Sequence, residues 1–150
     1  MPLVAIAIMV LVVVGAGWFI FFRSSTAHVS GQVTLDSKPV PHANIVFIGE
    51  DAKNEAPIVA QADGSGYYRL VGNVEAGIPL GKYKVAVTQM TLKDGTIPQG
   101  EQLDQARAKG LLSNYLPKVY EERSTTTLQF DVRSGSNTIN LELKKTLGAK

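Results

Sequence analysis

Apolar residues at every second position are the feature that most restricts the fold of this chain. Tyr83, Val85 and Val87 alternate with Lys82, Lys84 and small or polar residues. Successive side chains of a β-strand point to opposite faces, so this spacing predicts a strand with one buried face. A helix would need apolar residues three or four positions apart. The pattern therefore favours β-structure, with the tyrosine and the valines facing a core and the lysines facing solvent.

The same alternation recurs along most of the chain, and residues typical of turns separate its repeats. Turn composition is clearest from Asp63 to Gly66, where two glycines and a serine follow an aspartate. Short strands with turns at close intervals favour a single all-β domain built as a β-sandwich, and a closed barrel is the alternative. The pattern predicts about seven strands, at residues 28–35, 43–48, 58–62, 67–70, 82–90, 126–132 and 139–143.

The last two predicted strands show the clearest alternation in the chain. Residues 126–132 and 139–143 each place apolar side chains on one face and polar side chains on the other. Residues 133–137 between them have the composition of a turn. This arrangement predicts a C-terminal β-hairpin with one apolar and one polar face.

Residues 91–124 interrupt this rhythm and are predicted to form an irregular insertion. Within them, residues 101–109 are suited to two or three helical turns, with acids early, bases late, and Gly110 at the C-cap position. Irregular insertions carry function more often than framework strands do. The segment 91–124 is therefore the predicted contact for a protein partner, or alternatively a carbohydrate.

Three tyrosines are candidates for such a contact, namely Tyr67, Tyr115 and Tyr120. Amphipathic aromatic rings suit interfaces when they are partly exposed. The alternative for each ring is packing in the core or along a sheet edge.

The N-terminal segment 3–22, which begins with Leu3 and ends with Phe22, carries no charged residue. Twenty helical residues span about 30 Å, which is the thickness of the hydrocarbon core of a bilayer. We therefore expect one N-terminal transmembrane helix, with residues 1–23 as a membrane anchor and residues 24–27 as a linker to a domain at 28–147. The alternative is a cleaved signal peptide, because Ser25 and Ala27 satisfy a small-x-small cleavage rule before His28.

The composition gives little support to catalysis or to nucleic-acid binding. The chain has no cysteine, which excludes disulfides and thiolate chemistry, and its net charge of +2 is spread over interspersed signs. His28 and His42 are the only histidines, and their spacing suggests no metal site or catalytic base. We therefore predict a non-enzymatic protein with no catalytic residues, no cofactor, no metal and no nucleic-acid partner.

Several of these segments resemble carboxypeptidase-regulatory-like domains. The resemblance lies in the order of five stretches, each weak alone, and it extends over nearly all of residues 28–145. It implies a transthyretin-like (prealbumin-like) β-sandwich of Greek-key type, as in small bacterial envelope proteins, with a non-catalytic role in support, spacing or binding. The five stretches are residues 29–45, 62–70, 80–87 and 116–120 and the predicted C-terminal hairpin at 126–143.

The chain departs from this family pattern in one respect. Envelope members are commonly tethered through a lipidated cysteine, which is absent here, so the resemblance implies that a transmembrane segment replaces the lipid. It also implies that the C-terminal domain is extracytoplasmic, in the periplasm or at the cell surface. Two alternatives remain, an accessory single-span subunit of a larger membrane complex and a small hydrolase. The transthyretin-like hydrolases end in Tyr-Arg-Gly-Ser, whereas Tyr68 and Arg69 are followed by Leu70.

Overall fold

Two β-sheets pack face to face in the part of the chain that the structure describes, which is residues 26–50, 56–70 and 77–145 of a computed structural model. All seven predicted strands are present, joined by five short strands that alternation could not reveal. The fold is therefore an all-β sandwich, as predicted. The strands are β1 Thr26–Leu35, β2 Lys38–Pro39, β3 Asn44–Gly49, β4 Ile58–Gln61, β5 Tyr67–Leu70, β6 Ile78–Pro79, β7 Gly81–Thr88, β8 Met90–Thr91, β9 Ser113–Asn114, β10 Gln129–Val132, β11 Gly135–Thr138 and β12 Leu141–Leu143.

Strand β1 is the centre of the first sheet. It pairs with β2, β5 and β6 in antiparallel orientation along one side and with β11 and β12 in parallel orientation along the other. Its inward-facing valines, Val29 and Val33, are fully buried. The strand begins at Thr26, inside the predicted linker, because Thr26 and Ala27 pair with Pro79 and Ile78 of β6.

The second sheet has the strand order β10-β7-β3-β4 and is antiparallel throughout. The predicted facing of β7 is confirmed, since Tyr83, Val85 and Val87 are buried. Phe47 of β3 lies between the two sheets, with its ring centroid 6.0 Å from that of Tyr83 and 6.2 Å from that of Tyr68 in β5. These three rings form the aromatic centre of the core.

The predicted C-terminal hairpin is wrong, because β10 and β12 belong to different sheets. Phe130 of β10 pairs with Tyr83 in the second sheet, whereas Leu141 of β12 pairs with Val33 in the first. Two strands that face each other across a sandwich can both bury an apolar face in the same core, so alternation alone does not distinguish this from a hairpin. The Asn137 side chain supports the crossover, accepting a hydrogen bond from the backbone nitrogen of Arg133 and donating one to its carbonyl oxygen.

The backbone of β1 lies very close to the backbone of Ile139. The backbone nitrogen of Ile139 donates a hydrogen bond to the carbonyl oxygen of Ser30 (2.8 Å), and the buried hydroxyl of Tyr68 donates one to the carbonyl oxygen of Ile139 (2.7 Å). A Cβ atom at Gly31 would overlap that same carbonyl oxygen. Glycine at position 31 therefore allows the backbones of β1 and Ile139 to lie side by side in the first sheet.

Burial of Tyr68 predicts a loss of stability in alkaline solution. Burial raises the pKa of the Tyr68 hydroxyl above its usual value of 10.0. In the unfolded chain this group ionises near pH 10, whereas in the folded chain it keeps its proton to higher pH. The protonated Tyr68 hydroxyl therefore contributes its full share to the free energy of unfolding below about pH 10. Above that pH the free energy of unfolding falls by up to about 1.4 kcal/mol per pH unit. We expect Tyr68→Phe to cost about 1–3 kcal/mol at neutral pH, because the Ile139 carbonyl loses its donor, and to make the alkaline decline shallower.

Urea unfolding between about pH 8 and pH 11 measures both effects. Tyr67→Phe is the matched control, because the neighbouring Tyr67 ring is exposed. If Tyr68→Phe and the wild type lost stability equally between those pH values, the buried hydroxyl would not be the titrating group.

None of the helices among the described residues is long and apolar enough to cross a membrane. The predicted anchor, residues 1–23, lies outside the described residues, as do the first two residues of the predicted linker.

Candidate functional site

The segment 91–124 is more regular than predicted. The expected helix is present as α1, Glu101–Ala108, with two acids in its first turn and Arg107 in its last. The segment begins at a short antiparallel ladder between β8 and β9 and continues into a 3-10 helix at Lys118–Tyr120. The ladder brings the two ends of the excursion 92–112 together, so that α1 and its flanking turns leave and rejoin the sandwich at one place.

Two amide side chains, of buried Gln89 and half-buried Asn114, hold this segment against the sandwich. The Oδ1 atom of Asn114 accepts hydrogen bonds from the backbone nitrogens of Gln89 (3.0 Å) and Leu116 (3.2 Å). The side-chain nitrogen of Gln89 donates to the carbonyl oxygen of Pro41 (2.6 Å), and the backbone nitrogen of Tyr115 donates to the carbonyl oxygen of Gln89 (2.9 Å). The segment is thereby tied both to the end of β7 and to the β2–β3 connection.

A cleft of about 520 Å³, here called the main cleft, lies between this segment and the end of β1. A smaller cavity of about 190 Å³, the minor cleft, lies on the other side of Ile97, which lines both. Segment 91–124, the predicted contact for a partner, thus borders two recesses in the surface. The described residues lining the main cleft are Leu35, Asp36, Lys38, Pro39, Val40, Pro41, Gln89, Thr91, Gly95, Ile97, Tyr115 and Lys145.

Two polar residues that line the main cleft are buried. Gln89 is 4% exposed and Thr91 is 5% exposed, which is low for polar residues beside a sandwich core. The Gln89 amide nitrogen is bonded to Pro41, but within the described residues neither its Oε1 atom nor the Thr91 hydroxyl has a hydrogen-bond partner in the protein. Among the described residues, the side-chain atom that is fully enclosed without a partner is Nδ2 of Asn114, so the two oxygens of Gln89 and Thr91 reach solvent and are available to water or to a ligand in the cleft.

An exposed aromatic ring forms the rim of the main cleft. Tyr115 is 51% exposed, and the Nζ atom of Lys145 lies 5.7 Å from its ring centroid. A cation–π contact at an exposed site stabilises by about 0.5–1 kcal/mol. The backbone nitrogen of Lys145 also donates a hydrogen bond to the Asp36 carboxylate (3.3 Å). The ring is therefore held at the rim by a residue that the β1–β2 turn fixes in place.

Three residues beside the clefts have left-handed backbone conformations. Asp36 and Ser37, which connect β1 to β2, have φ values of 48° and 68°, and His42 beside the minor cleft has a φ of 53°. A two-residue hairpin turn of type I′ requires a positive φ at both of its positions, so the conformation of Asp36 and Ser37 follows from the pairing of Leu35 with Lys38. Hydrogen bonds from the backbone nitrogens of Asp36 to Leu143 and of His42 to Asp63 stabilise the two turns.

The three candidate tyrosines have different surroundings. Tyr115 lines the main cleft, and Tyr67 is exposed on β5 but lines neither cleft. Tyr120 follows the other of the two interpretations, core packing: its ring is in the core, and its hydroxyl accepts a hydrogen bond from the backbone nitrogen of Lys144. The 3-10 helix turns Tyr120 inward, and no periodic pattern in the sequence indicated that turn.

The two histidines are separated by most of the length of β1. His28 lies exposed near its beginning, and His42 follows β2 and lines the minor cleft. In the described ranges, no three side chains of the histidine, aspartate and glutamate type are grouped closely enough to hold a metal ion.

The Asp63 carboxylate closes the turn between β4 and β5. Its Oδ1 atom accepts hydrogen bonds from the Ser65 hydroxyl (2.6 Å), the Ser65 backbone nitrogen (2.8 Å) and the Tyr67 backbone nitrogen (3.0 Å). The Ser65 hydroxyl, followed by its backbone nitrogen, lowers the pKa of Asp63. This oxygen thus stabilises the turn that the sequence predicts from Asp63 to Gly66.

Comparison with known proteins gives one structural likeness. No family model matches the chain, and no curated protein matches it. The chain is similar to the crystal structure of a DUF3823 family protein from Parabacteroides merdae, with a TM-score of 0.42 and 13% sequence identity. The match covers 77% of this chain and 44% of that protein, so the chain spans less than half the length of that neighbour.

Proposed function

We propose that this chain is a membrane-anchored, extracytoplasmic binding module of the bacterial cell envelope and that it is not an enzyme. The observation that carries the proposal is the main cleft, which segment 91–124 builds against the end of β1. It combines an exposed ring, Tyr115, with two largely buried polar residues, Gln89 and Thr91, whose side-chain oxygens reach solvent and have no hydrogen-bond partner among the described residues. A recessed site with a few convergent polar groups is the usual form of a ligand site.

The strand order supports a transthyretin-like sandwich of Greek-key type. The order β5-β1-β12 in the first sheet faces β4-β3-β7-β10 in the second. The chain crosses between the sheets after β2, β4, β6 and β10, and the last strand returns to lie parallel to β1. These crossings are what the resemblance to carboxypeptidase-regulatory-like domains implies.

The position of the cleft suits a protein held by an N-terminal anchor. Only residues 23–25 separate the apolar segment 3–22 from the start of β1. Strand β1 has ten residues and rises about 3.3 Å per residue, which puts its last residue, Leu35, about 30 Å from its first. Leu35 lines the main cleft. An anchor at the N-terminus would therefore leave the cleft at the far end of β1, accessible to a partner beyond the membrane surface.

The composition of the main cleft supports binding rather than hydrolysis. Its hydroxyl groups belong to Thr91 and Tyr115, and neither of the two histidines of the chain lines it. A hydroxyl nucleophile needs a base within hydrogen-bonding distance. The Asp36 carboxylate, the one acid of the described lining, accepts a backbone hydrogen bond from Lys145.

Photo-cross-linking in native membranes tests the proposal. We expect Tyr115→p-benzoylphenylalanine to give a discrete adduct on irradiation, because that position lies at the rim of the occupied cleft. Tyr67→p-benzoylphenylalanine is the matched control, since Tyr67 is similarly exposed but lies on the sandwich away from both clefts. Equal adducts from both positions, or none from Tyr115, would contradict a binding role for the cleft.

A further inference from the structure

We propose that the ligand of the main cleft is a saccharide; this inference rests on the proposed binding function and names its ligand class. The first reason is the chemistry of the two unpartnered oxygens in the cleft. The Oε1 atom of Gln89 can only accept a hydrogen bond, and the Thr91 hydroxyl can donate or accept one. A ligand with several hydroxyl groups, such as a sugar, can donate to both oxygens and can also accept from the threonine hydroxyl.

The second reason is the Tyr115 ring at the rim. A pyranose ring has one face of C–H groups and an edge of hydroxyls, so it can cover an aromatic ring and form hydrogen bonds at the same time. Tyr115 supplies an exposed amphipathic ring, and the contact with Lys145 keeps that ring in position. The main cleft thus offers an aromatic ring, from Tyr115, for the C–H face of a sugar and hydrogen-bonding oxygens, from Gln89 and Thr91, for its hydroxyls.

Charge and size agree with a neutral sugar. Among the described lining residues, Lys38 and Lys145 contribute two positive charges and Asp36 one negative charge, so the cleft presents both signs. A strongly anionic ligand would lie near the Asp36 carboxylate. A volume of about 520 Å³ lies within the range of small-molecule sites and is suited to a short oligosaccharide.

An extended peptide is a poorer fit to the same walls. Peptides commonly bind by adding a strand to an exposed sheet edge. The strands that border the main cleft, β2 and β8, are two residues long and are already paired with β1 and β9. The apolar lining residues Leu35 and Val40 are buried in the core, which leaves no deep apolar pocket for an anchoring side chain.

A glycan array probed with the full chain in lipid nanodiscs tests this inference. The array carries neutral, N-acetylated and uronic-acid oligosaccharides, and a library of unmodified peptides is displayed on the same surface. We expect the wild type to bind oligosaccharides, Tyr115→Phe to retain that binding, and Tyr115→Ala to weaken it by about tenfold or more. Thr91→Val, which keeps the shape but removes the hydroxyl, should also weaken it, while Tyr67→Ala should bind like the wild type.

Thermal unfolding of each variant shows that it is folded, and the outcomes separate the two proposals. No bound oligosaccharide, or equal binding by the wild type and Tyr115→Ala, would overturn the saccharide inference. Peptide binding that depends on Tyr115, without oligosaccharide binding, would also overturn it and would leave the proposed binding function intact. An absence of any adduct from Tyr115→p-benzoylphenylalanine in native membranes would instead contradict the binding function itself.

Discussion

Gly31→Ala is expected to lower the free energy of unfolding by about 3–5 kcal/mol. The new Cβ atom would overlap the backbone carbonyl oxygen of Ile139 and would lie 3.2 Å from Cε1 of the Tyr68 ring. Neither neighbour can yield easily, because Ile139 is bonded through its nitrogen to Ser30 and through its oxygen to the Tyr68 hydroxyl. Relief of the overlap would therefore weaken hydrogen bonds on both sides of β1. Urea unfolding followed by circular dichroism measures the loss.

Gly64→Ala is the control for this substitution. A Cβ atom at Gly64 would meet no heavy atom within 4 Å, and its backbone lies outside the left-handed region. That variant should be unchanged or more stable by about 0.4–1 kcal/mol, through the reduced freedom of the unfolded chain. Similar small effects at Gly31 and Gly64 would mean that β1 and Ile139 are farther apart than the structure places them.

Phe47→Ala should also cost about 3–5 kcal/mol. The Phe47 side chain is fully buried, and its ring contacts Tyr68 of the first sheet and Tyr83 of the second. Removing the ring leaves a cavity between the sheets, where the paired strands β3 and β7 restrict collapse. We expect a lower urea midpoint with a nearly unchanged m-value, because the unfolded surface differs little.

Val59→Ala is the matched control on the other face of the same sheet. Val59 lies on the adjacent strand β4 and is 60% exposed, so its truncation should cost no more than about 0.5–1 kcal/mol. A loss at Val59 equal to that at Phe47 would indicate that the inner and outer faces of the second sheet are reversed.

The strands and their facing follow from the sequence because alternation is a local property. Tyr83, Val85 and Val87 face the core, as their spacing predicts, and the predicted helix at 101–109 forms for equally local reasons. Pairing is not local, and this is why the C-terminal hairpin was mispredicted. The apolar faces of β10 and β12 are buried in one core from opposite sheets, which leaves the same alternation as a hairpin would.

The sequence indicates where the proposed site lies, but it does not indicate most of the residues of that site. A break in the rhythm indicates segment 91–124, and Tyr115 is one of the three candidate tyrosines. Gln89 and Thr91 look like ordinary strand residues in the sequence. They become part of a site only because Asn114 and Pro41, distant in sequence, are bonded to Gln89 in the folded chain. No pattern in the sequence carries such contacts, since they depend on how the segment rejoins the sandwich.

The central claim is that the excursion 92–112 completes a binding site on a sandwich that is stable without that excursion. The ladder between Thr91 and Ser113 allows a direct test, because an Asn-Gly pair can replace residues 92–112 as a two-residue hairpin turn. Tyr115→p-benzoylphenylalanine is introduced into both the full chain and the shortened chain. The two proteins should have the same unfolding midpoint. On irradiation in native membranes, the full chain should give the cross-linked adduct and the shortened chain should not. The same adduct in the same yield from the shortened chain would contradict the claim.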